Sequence, residues 1–341
     1  MKIRSKAPFR IGFAGGGTDV SPYSDNYGGA ILNAAISLYA YTTIIPRTDG
    51  KIIFKALDRG EVLEFDSAQT LPISGTLDLQ IGVYNRVVKE FGLKNLSFEL
   101  ITTMDVASGS GLGTSSTLVV SILGAFVEWF KLPLGEYDIA QLSYDIERVD
   151  LKMAGGKQDQ YAATFGGVNF MEFYKDNKVI VNPLRIREEL LNELQFNLIL
   201  YYTKTSRESA RIIETQANNA QTKQEKPIQA MHQVKEQAYL MKEALLKDEL
   251  YKIGEILSTG WENKKKMAEG ITNELIDDIY STAIKSGATG GKISGAGGGG
   301  FMIFYAEEAN RYKVLKALEK FGGQAKRYEF CKEGLTTWTV D

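Results

Sequence analysis

Hydrophobic and polar positions change period several times along this chain. Alternating or β-rich runs over residues 40–46, 51–55, 61–65 and 96–102 predict strands. Helical spacing predicts helices over 79–91, 115–130 and 136–149. The run 115–130 is apolar almost throughout, and its length and its Ala, Leu and Trp content favour a buried helix over a buried strand. After Phe165-Gly166-Gly167 the pattern predicts a strand over 168–174, turned at Asp176-Asn177 into 178–181. From about residue 190 the texture shifts. A β-rich run at 196–202 precedes three long segments rich in Lys, Glu and Gln, over 206–221, 227–246 and 249–269, and a shorter helix, 273–285, closed by Gly287. A strand at 301–305, a helix over 309–321 and strands near 326–331 and 335–340 finish the chain. A boundary within 180–195 gives two domains, 1–185 and 186–341, each long enough to bury a core.

Composition narrows the function. The 341 residues are 44% hydrophobic and 24% charged, and Lys+Arg 40 against Asp+Glu 42 leave a net charge of −2, so no basic excess points to nucleic acid or an anionic membrane. One cysteine, Cys331, and one histidine, His232, exclude an internal disulfide and supply too few ligands for a Cys/His zinc site. Charged residues at 1–10 do not read as a signal peptide, and the stretch 115–130 is too short to span a bilayer, so the expectation is cytoplasmic with no membrane partner. His232 and Lys264-Lys265-Lys266 read as surface groups on helices, and Cys331 as a packing residue. The outlier is glycine, 34 residues gathered in clusters, which suits either linkers or backbone that approaches phosphate.

Four constellations carry candidate chemistry. The loop Ser108-Gly109-Ser110-Gly111-Leu112-Gly113-Thr114-Ser115-Ser116 follows a predicted strand and opens a helix, which turns unpaired amides and the helix dipole onto an anion; an ordinary capped turn would read alike. It is not a P-loop, and Gly15-Gly16-Gly17 is not a dinucleotide fingerprint, because neither spacing fits. Glu147 and Asp159 flank a break at Gly155-Gly156, where two carboxylates can converge on a metal and a hydroxyl; two solvated surface acids would look the same. The segment from Ala7 to Asp19 carries Arg10 on a strand that enters a glycine turn ending in Gly17, Thr18 and Asp19, groups suited to sugar hydroxyls or to a plain capped turn. The fourth is the run Lys292 to Gly300, between two β-like segments.

In this order the four pieces resemble the galacto-, homoserine, mevalonate and phosphomevalonate (GHMP) kinase superfamily, whose three motifs match at Ala7 to Arg10, Ala107 to Ser115 and Lys292 to Gly300. Ala14 to Tyr23 and Gly156 to Tyr161 look like its heptose 7-phosphate kinase branch; fucose kinases share much of the pattern. The resemblance implies an α+β fold of two domains, a ribosomal-protein-S5-like N-terminal one and a ferredoxin-like C-terminal one. It implies transfer of the γ-phosphoryl group of ATP to a sugar hydroxyl, for the heptose branch the anomeric one. On that family pattern residues 108–116 hold ATP, and Ser115 with Glu147 holds Mg²⁺. Asp159 is the base, with Arg10 beside it to offset developing charge. Gly17, Thr18, Asp19, Gly295, Ala296, Gly297 and Gly298 bind the sugar, and Arg207 takes its existing phosphate unless it merely opens a helix. Ala107 replaces the family's proline and Thr114 a serine, which leaves open which of Thr114, Ser115 and Ser116 meets the metal. A kinase for heptose 1-phosphate or L-fucose is the alternative within enzymes; a silent nucleotide- or sugar-binding sensor is the alternative outside them. The sequence leaves the adenine pocket and the oligomeric state open.

Overall fold

Two long strands carry the larger sheet in the computed structural model, which describes residues 1–205 and 209–341. Strand β1 (Lys2–Ala14) pairs antiparallel with β2 (Gly29–Pro46), from Ile3 opposite Ile44 to Ala14 opposite Leu32. Between them lies the short helix α1 (Tyr23–Tyr27). The far edge of β2 is shared. Gly29 to Ala34 pairs with β6 (Val168–Phe173), and Ala40 to Pro46 with β5 (Phe98–Met104). Strands β3 (Lys51–Ala56) and β4 (Glu61–Asp66) extend the sheet beyond β5, and β7 (Val179–Pro183) pairs with β6. The last strand, β12 (Thr336–Val340), returns to pair with β1, so this eight-stranded sheet holds both ends of the chain. The sequence pattern finds β2 only from residue 40. Residues 29 to 36 are buried without alternation, because both faces of the strand are covered, and period 2 disappears when there is no wet face.

On this sheet lie α2 (Asp78–Phe91), α3 (Thr114–Phe130), α4 (Glu136–Asp145) and α5 (Gln158–Phe165). Helix α3 is buried almost continuously from Ser116 to Phe126, as its apolar composition requires. Helix α4 runs on into a π-helical turn, Ile146–Asp150, which carries Glu147.

The smaller sheet is built from β8 (Leu198–Tyr202), β9 (Gly290–Ile293), β10 (Phe301–Tyr305) and β11 (Gln324–Lys326). Its order is β11-β8-β10-β9, antiparallel throughout, the ferredoxin-like arrangement. Helices α6 (Glu188–Asn197), α7 (Ser209–Gln221), α8 (Glu225–Leu246), α9 (Ile253–Lys264), α10 (Glu274–Lys285) and α11 (Glu308–Leu318) accompany it. Its central strands are walls between two cores. Leu198 and Leu200 of β8, with Phe301, Ile303 and Tyr305 of β10, join the core that contains the β1 and β2 side chains. The alternate residues Ile199, Tyr201, Met302 and Phe304 face a second core with Trp261 and Ile279. Such strands read as continuous apolar runs, which is how the sequence shows them.

Three predicted elements are redrawn. The strand expected from 196 starts at Leu198, because Leu190 and Leu194, one turn apart, keep α6 helical to Asn197. The helix expected over 249–269 becomes a 3₁₀ turn, Leu250–Lys252, followed by α9. The strand expected over 326–331 is the short β11 plus a single bridge between Ile36 and Phe330, after which the half-buried Cys331 donates its N–H to the Ala35 carbonyl. Among the described residues no helix is long and apolar enough to cross a membrane.

Candidate functional site

The glycine loop lies between β5 and α3. Gly113 caps α3 in the left-handed region at φ 80°, with no side-chain cap, so the amides of the first helical turn remain open toward an anion. Thr114 accepts the Gly109 N–H on Oγ1 (3.2 Å) and closes the loop. Ser110 and Leu112 are its anchors. The Ser110 carbonyl receives the Phe301 N–H at 2.8 Å, and Leu112 is buried in the larger core. The remaining loop residues, Ser108, Gly109, Gly111, Gly113, Thr114, Ser115 and Ser116, line a cleft of about 610 Å³.

Arg10 and Asp159 meet in that cleft. The Arg10 Nε donates to Asp159 Oδ1 at 2.7 Å, and Nη2 lies 2.7 Å from the same oxygen. The Arg10 Nη1 donates to the Gly111 carbonyl (2.8 Å) and reaches Ser294 Oγ (3.4 Å). One guanidinium thus links the N-terminal strand, both glycine loops and the carboxylate on α5. A Cβ on Gly113 would stand 2.9 Å from Asp159 Cγ, so the loop approaches the carboxylate as closely as only glycine allows.

Glu147 is fully buried, not the solvated acid that its spacing equally permitted. Ser115 Oγ donates to its Oε1 at 2.7 Å, Gln160 Nε2 to its Oε2 at 2.5 Å, and Arg148 Nη1 stands 3.7 Å away. Of the three hydroxyls, Ser115 is the one joined to Glu147. Thr114 closes the loop, and Ser116 accepts from Gln160 at 3.0 Å.

The N-terminal turn divides its labour differently from the expectation. Asp19 is buried on the cleft wall. Its Oδ2 accepts the Gln158 N–H at 3.0 Å, while Oδ1 has no partner among the described residues. Burial raises its pKa, the Gln158 amide opposes that shift, and the Asp159 charge adds to it. Thr18, expected at the sugar, is instead spent inside the turn: its hydroxyl lies within bonding distance of the Gly15 and Ala30 carbonyls and accepts the Ala30 N–H. Gly17 lines the cleft. In the second glycine loop Gly295 and Ala296 line it as well. Gly297 and Gly298 do not; they pack on Ile271, whose carbonyl receives the Gly298 N–H. Arg207 lies outside the described residues.

Sequence reasoning missed part of the lining, notably Arg148, Lys152, Gln158, Gln216 and Lys264. Lys264 overturns the reading of 264–266 as a solvated face. It is buried on α9, its Nζ donates to the Gly16 carbonyl at 3.2 Å, and burial pushes its pKa down to about 8. Lys292 of β9 is buried too, donates to the Gly12 carbonyl at 2.7 Å and is held well below the usual lysine range by burial. The signal for Lys264 was present: it stands seven residues after Leu257 and three after Trp261, on the apolar stripe of its helix. His232 is half-buried, with its Nδ1 2.8 Å from the Tyr23 hydroxyl.

Comparison with known proteins gives a consistent picture. The GHMP kinases N terminal domain matches residues 78–167, and the GHMP kinases C terminal domain matches 241–324. The chain is 49% identical to the D-glycero-alpha-D-manno-heptose 7-phosphate kinase of Campylobacter jejuni over 99% of both chains. A crystal structure of a D-glycero-D-manno-heptose 1-phosphate kinase from Bacteriodes thetaiotaomicron superposes with a TM-score of 0.84 at 44% identity, over 99% of both chains. The bifunctional fucokinase/GDP-fucose pyrophosphorylase of Arabidopsis thaliana is 26% identical over 92% of this chain and 31% of its own length.

Proposed function

The chain belongs to the GHMP kinase family, a phosphotransferase using ATP with an alcohol acceptor, and from that premise we propose that it phosphorylates the anomeric hydroxyl of D-glycero-D-manno-heptose 7-phosphate, giving the 1,7-bisphosphate. Relatives at 49% and 44% identity over the whole chain act, by their names, on heptose phosphates, which supports a heptose phosphate as acceptor. The two names differ in where that phosphate sits. The observation that carries the chemistry is the Arg10–Asp159 pair beside an uncapped helix N-terminus in one cleft.

Phosphoryl transfer asks for alignment and charge neutralisation more than for covalent catalysis. The open amides of residues 113–116 hold the ATP phosphates. Asp159 takes the proton of the attacking hydroxyl, and Arg10, fixed through two nitrogens, keeps the carboxylate aimed and offsets charge developing at the transferred group. Asp19 presents its free Oδ1 to sugar hydroxyls.

The residues fit Mg²⁺. Glu147 is a buried carboxylate beside a serine hydroxyl, all oxygen ligands suited to a hard cation that takes its other ligands from phosphates and water. Ser115 and Glu147 would hold it, and there it would neutralise phosphate charge. One cysteine, with no partner for a disulfide within the chain, fits a reducing, cytoplasmic location.

The test is ADP release with Mg-ATP against heptose 7-phosphate, heptose 1-phosphate, L-fucose, galactose and mannose, with the new phosphate located by phosphorus NMR. Turnover of heptose 7-phosphate with a new anomeric phosphate is expected, lost in Asp159→Asn while ATP still binds. Turnover of only heptose 1-phosphate or fucose would overturn the acceptor; ATP binding without any transfer would leave a sensor.

A further inference from the structure

The cleft contains a cation that the chemistry above does not use. Arg10 is committed to Asp159, and Arg148 stands beside Glu147 and Ser116. Lys264 belongs to another wall. It comes from α9, crosses to the N-terminal glycine turn and makes one hydrogen bond, to the Gly16 carbonyl, with no ion pair among the described residues. Two of its three N–H donors are therefore unspent. A buried ammonium without an ion pair is costly, and among the described residues no carboxylate comes within ion-pair distance of it. Asp19 is near enough to favour the ammonium, but Arg10 and Lys292 oppose it.

A second unspent donor stands at the same turn. Gln216 of α7 is 98% buried, and its Nε2 has no partner among the described residues. Its Oε1 stands 3.0 Å from where a Cβ on Gly17 would be, and it lines the same cleft. Lys264 and Gln216 thus reach adjacent residues, Gly16 and Gly17, from two different helices, one bringing a charge and both bringing free N–H groups. A sugar hydroxyl would satisfy the amide but would leave the ammonium without an ion pair. A phosphate monoester satisfies both, since it brings negative charge and three acceptor oxygens.

We infer that Lys264 and Gln216 form the subsite for the phosphate that the acceptor sugar already carries. The inference rests on the proposed acceptor being a sugar phosphate, and it gives to α9 and α7 the task that the sequence assigned to Arg207. Asp19 stands on the wall between this subsite and the Arg10–Asp159 pair, where a sugar would span the two. No covalent step is involved; the subsite contributes affinity and selects phosphorylated over free sugars.

The experiment compares steady-state kinetics on heptose 7-phosphate and on unphosphorylated heptose for the parent, Lys264→Met, Gln216→Leu and Arg207→Ala. Loss of one charge-assisted contact is worth about 10- to 100-fold. Lys264→Met is expected to raise KM for heptose 7-phosphate by about that factor, with kcat little altered, and to lose far less on the free sugar. Gln216→Leu should show the same selectivity at about 5- to 10-fold. Equal losses on both sugars, a loss confined to kcat, or a selective loss only in Arg207→Ala would each overturn the assignment. ATP binding by each variant shows that it has folded, and where Lys264→Met fails that check, Lys264→Arg and Gln216→Leu carry the comparison. Calorimetric titration with heptose 7-phosphate and with heptose 1-phosphate separates this inference from the reading beneath it. If the parent turns over neither, that reading fails, and Lys264-dependent binding of either phosphosugar still upholds the subsite, while its absence removes it.

Discussion

Lys264 shows how a site residue can oppose stability. Its pKa is lowered from 10.5 to about 8, by burial first and by Arg10 second, against the pull of Asp19, with Lys292 also facing it. A lysine held below its unfolded pKa binds fewer protons in the folded state between those two values, so its contribution to stability rises as pH goes from about 8 to 10.5. Below pH 8 the full cost is felt, on the order of 3 kcal/mol. Lys264→Met removes this cost and gives up one hydrogen bond, worth about 1 kcal/mol. The ligand-free variant should therefore melt a few degrees higher than the parent at pH 7, and the advantage should shrink toward pH 10. A lower melting temperature at pH 7 would show that the lysine is held without strain. Since the charged form is the one that meets a phosphate, KM for a phosphorylated acceptor should also climb above about pH 8.

Elements set the distances that these residues need. The π-helical turn after α4 carries Glu147 to Ser115, and the Gly155-Gly156 break then brings α5 and Asp159 back beside Arg10. The glycine loop closes on the carboxylate with no room to spare. Gly113→Ala combines a left-handed backbone with a Cβ 2.9 Å from Asp159 Cγ, and displacement of Asp159 from Arg10 is the cheapest relief. We expect kcat to fall by about 100-fold, as small misplacements of reacting groups do, with the protein still folded. Unchanged turnover would mean that the loop and Asp159 can separate without consequence.

At the scale of the whole molecule, the second sheet is a shared wall, and the two cores should not melt independently. Leu200 of β8 is 1% exposed in the core that also contains the β1 and β2 side chains. Leu200→Ala should cost about 2–5 kcal/mol, and denaturant unfolding followed through Trp129 on α3 and Trp261 on α9 should remain a single coincident transition. Separate transitions for the two probes would show that the wall does not couple the bodies.

The sequence by itself determined what local chemistry controls: the glycine turns, the helix that opens after Gly113, most strands with one wet face, and the types of residue gathered for a phosphate. Its resemblance to a kinase family added the order of the motifs and named Arg10, Asp159 and Ser115, which the fold brings into one cleft, and Glu147, which it buries against Ser115. Only the tertiary structure decided how donors are spent. Thr18 and Ser116 carry the same kind of hydroxyl as Ser115, but the fold ties Thr18 to backbone carbonyls, sets Ser116 against Gln160 and leaves Ser115 at Glu147. Burial likewise separates Lys264 from its neighbours Lys265 and Lys266, a distinction written in the helical period and easily lost in a run of three lysines. Strand residues 29–36 escaped notice for the converse reason, since full burial erases the alternation that would reveal them. Patterns record whether a position meets water; they do not record which groups, distant along the chain, it will meet instead.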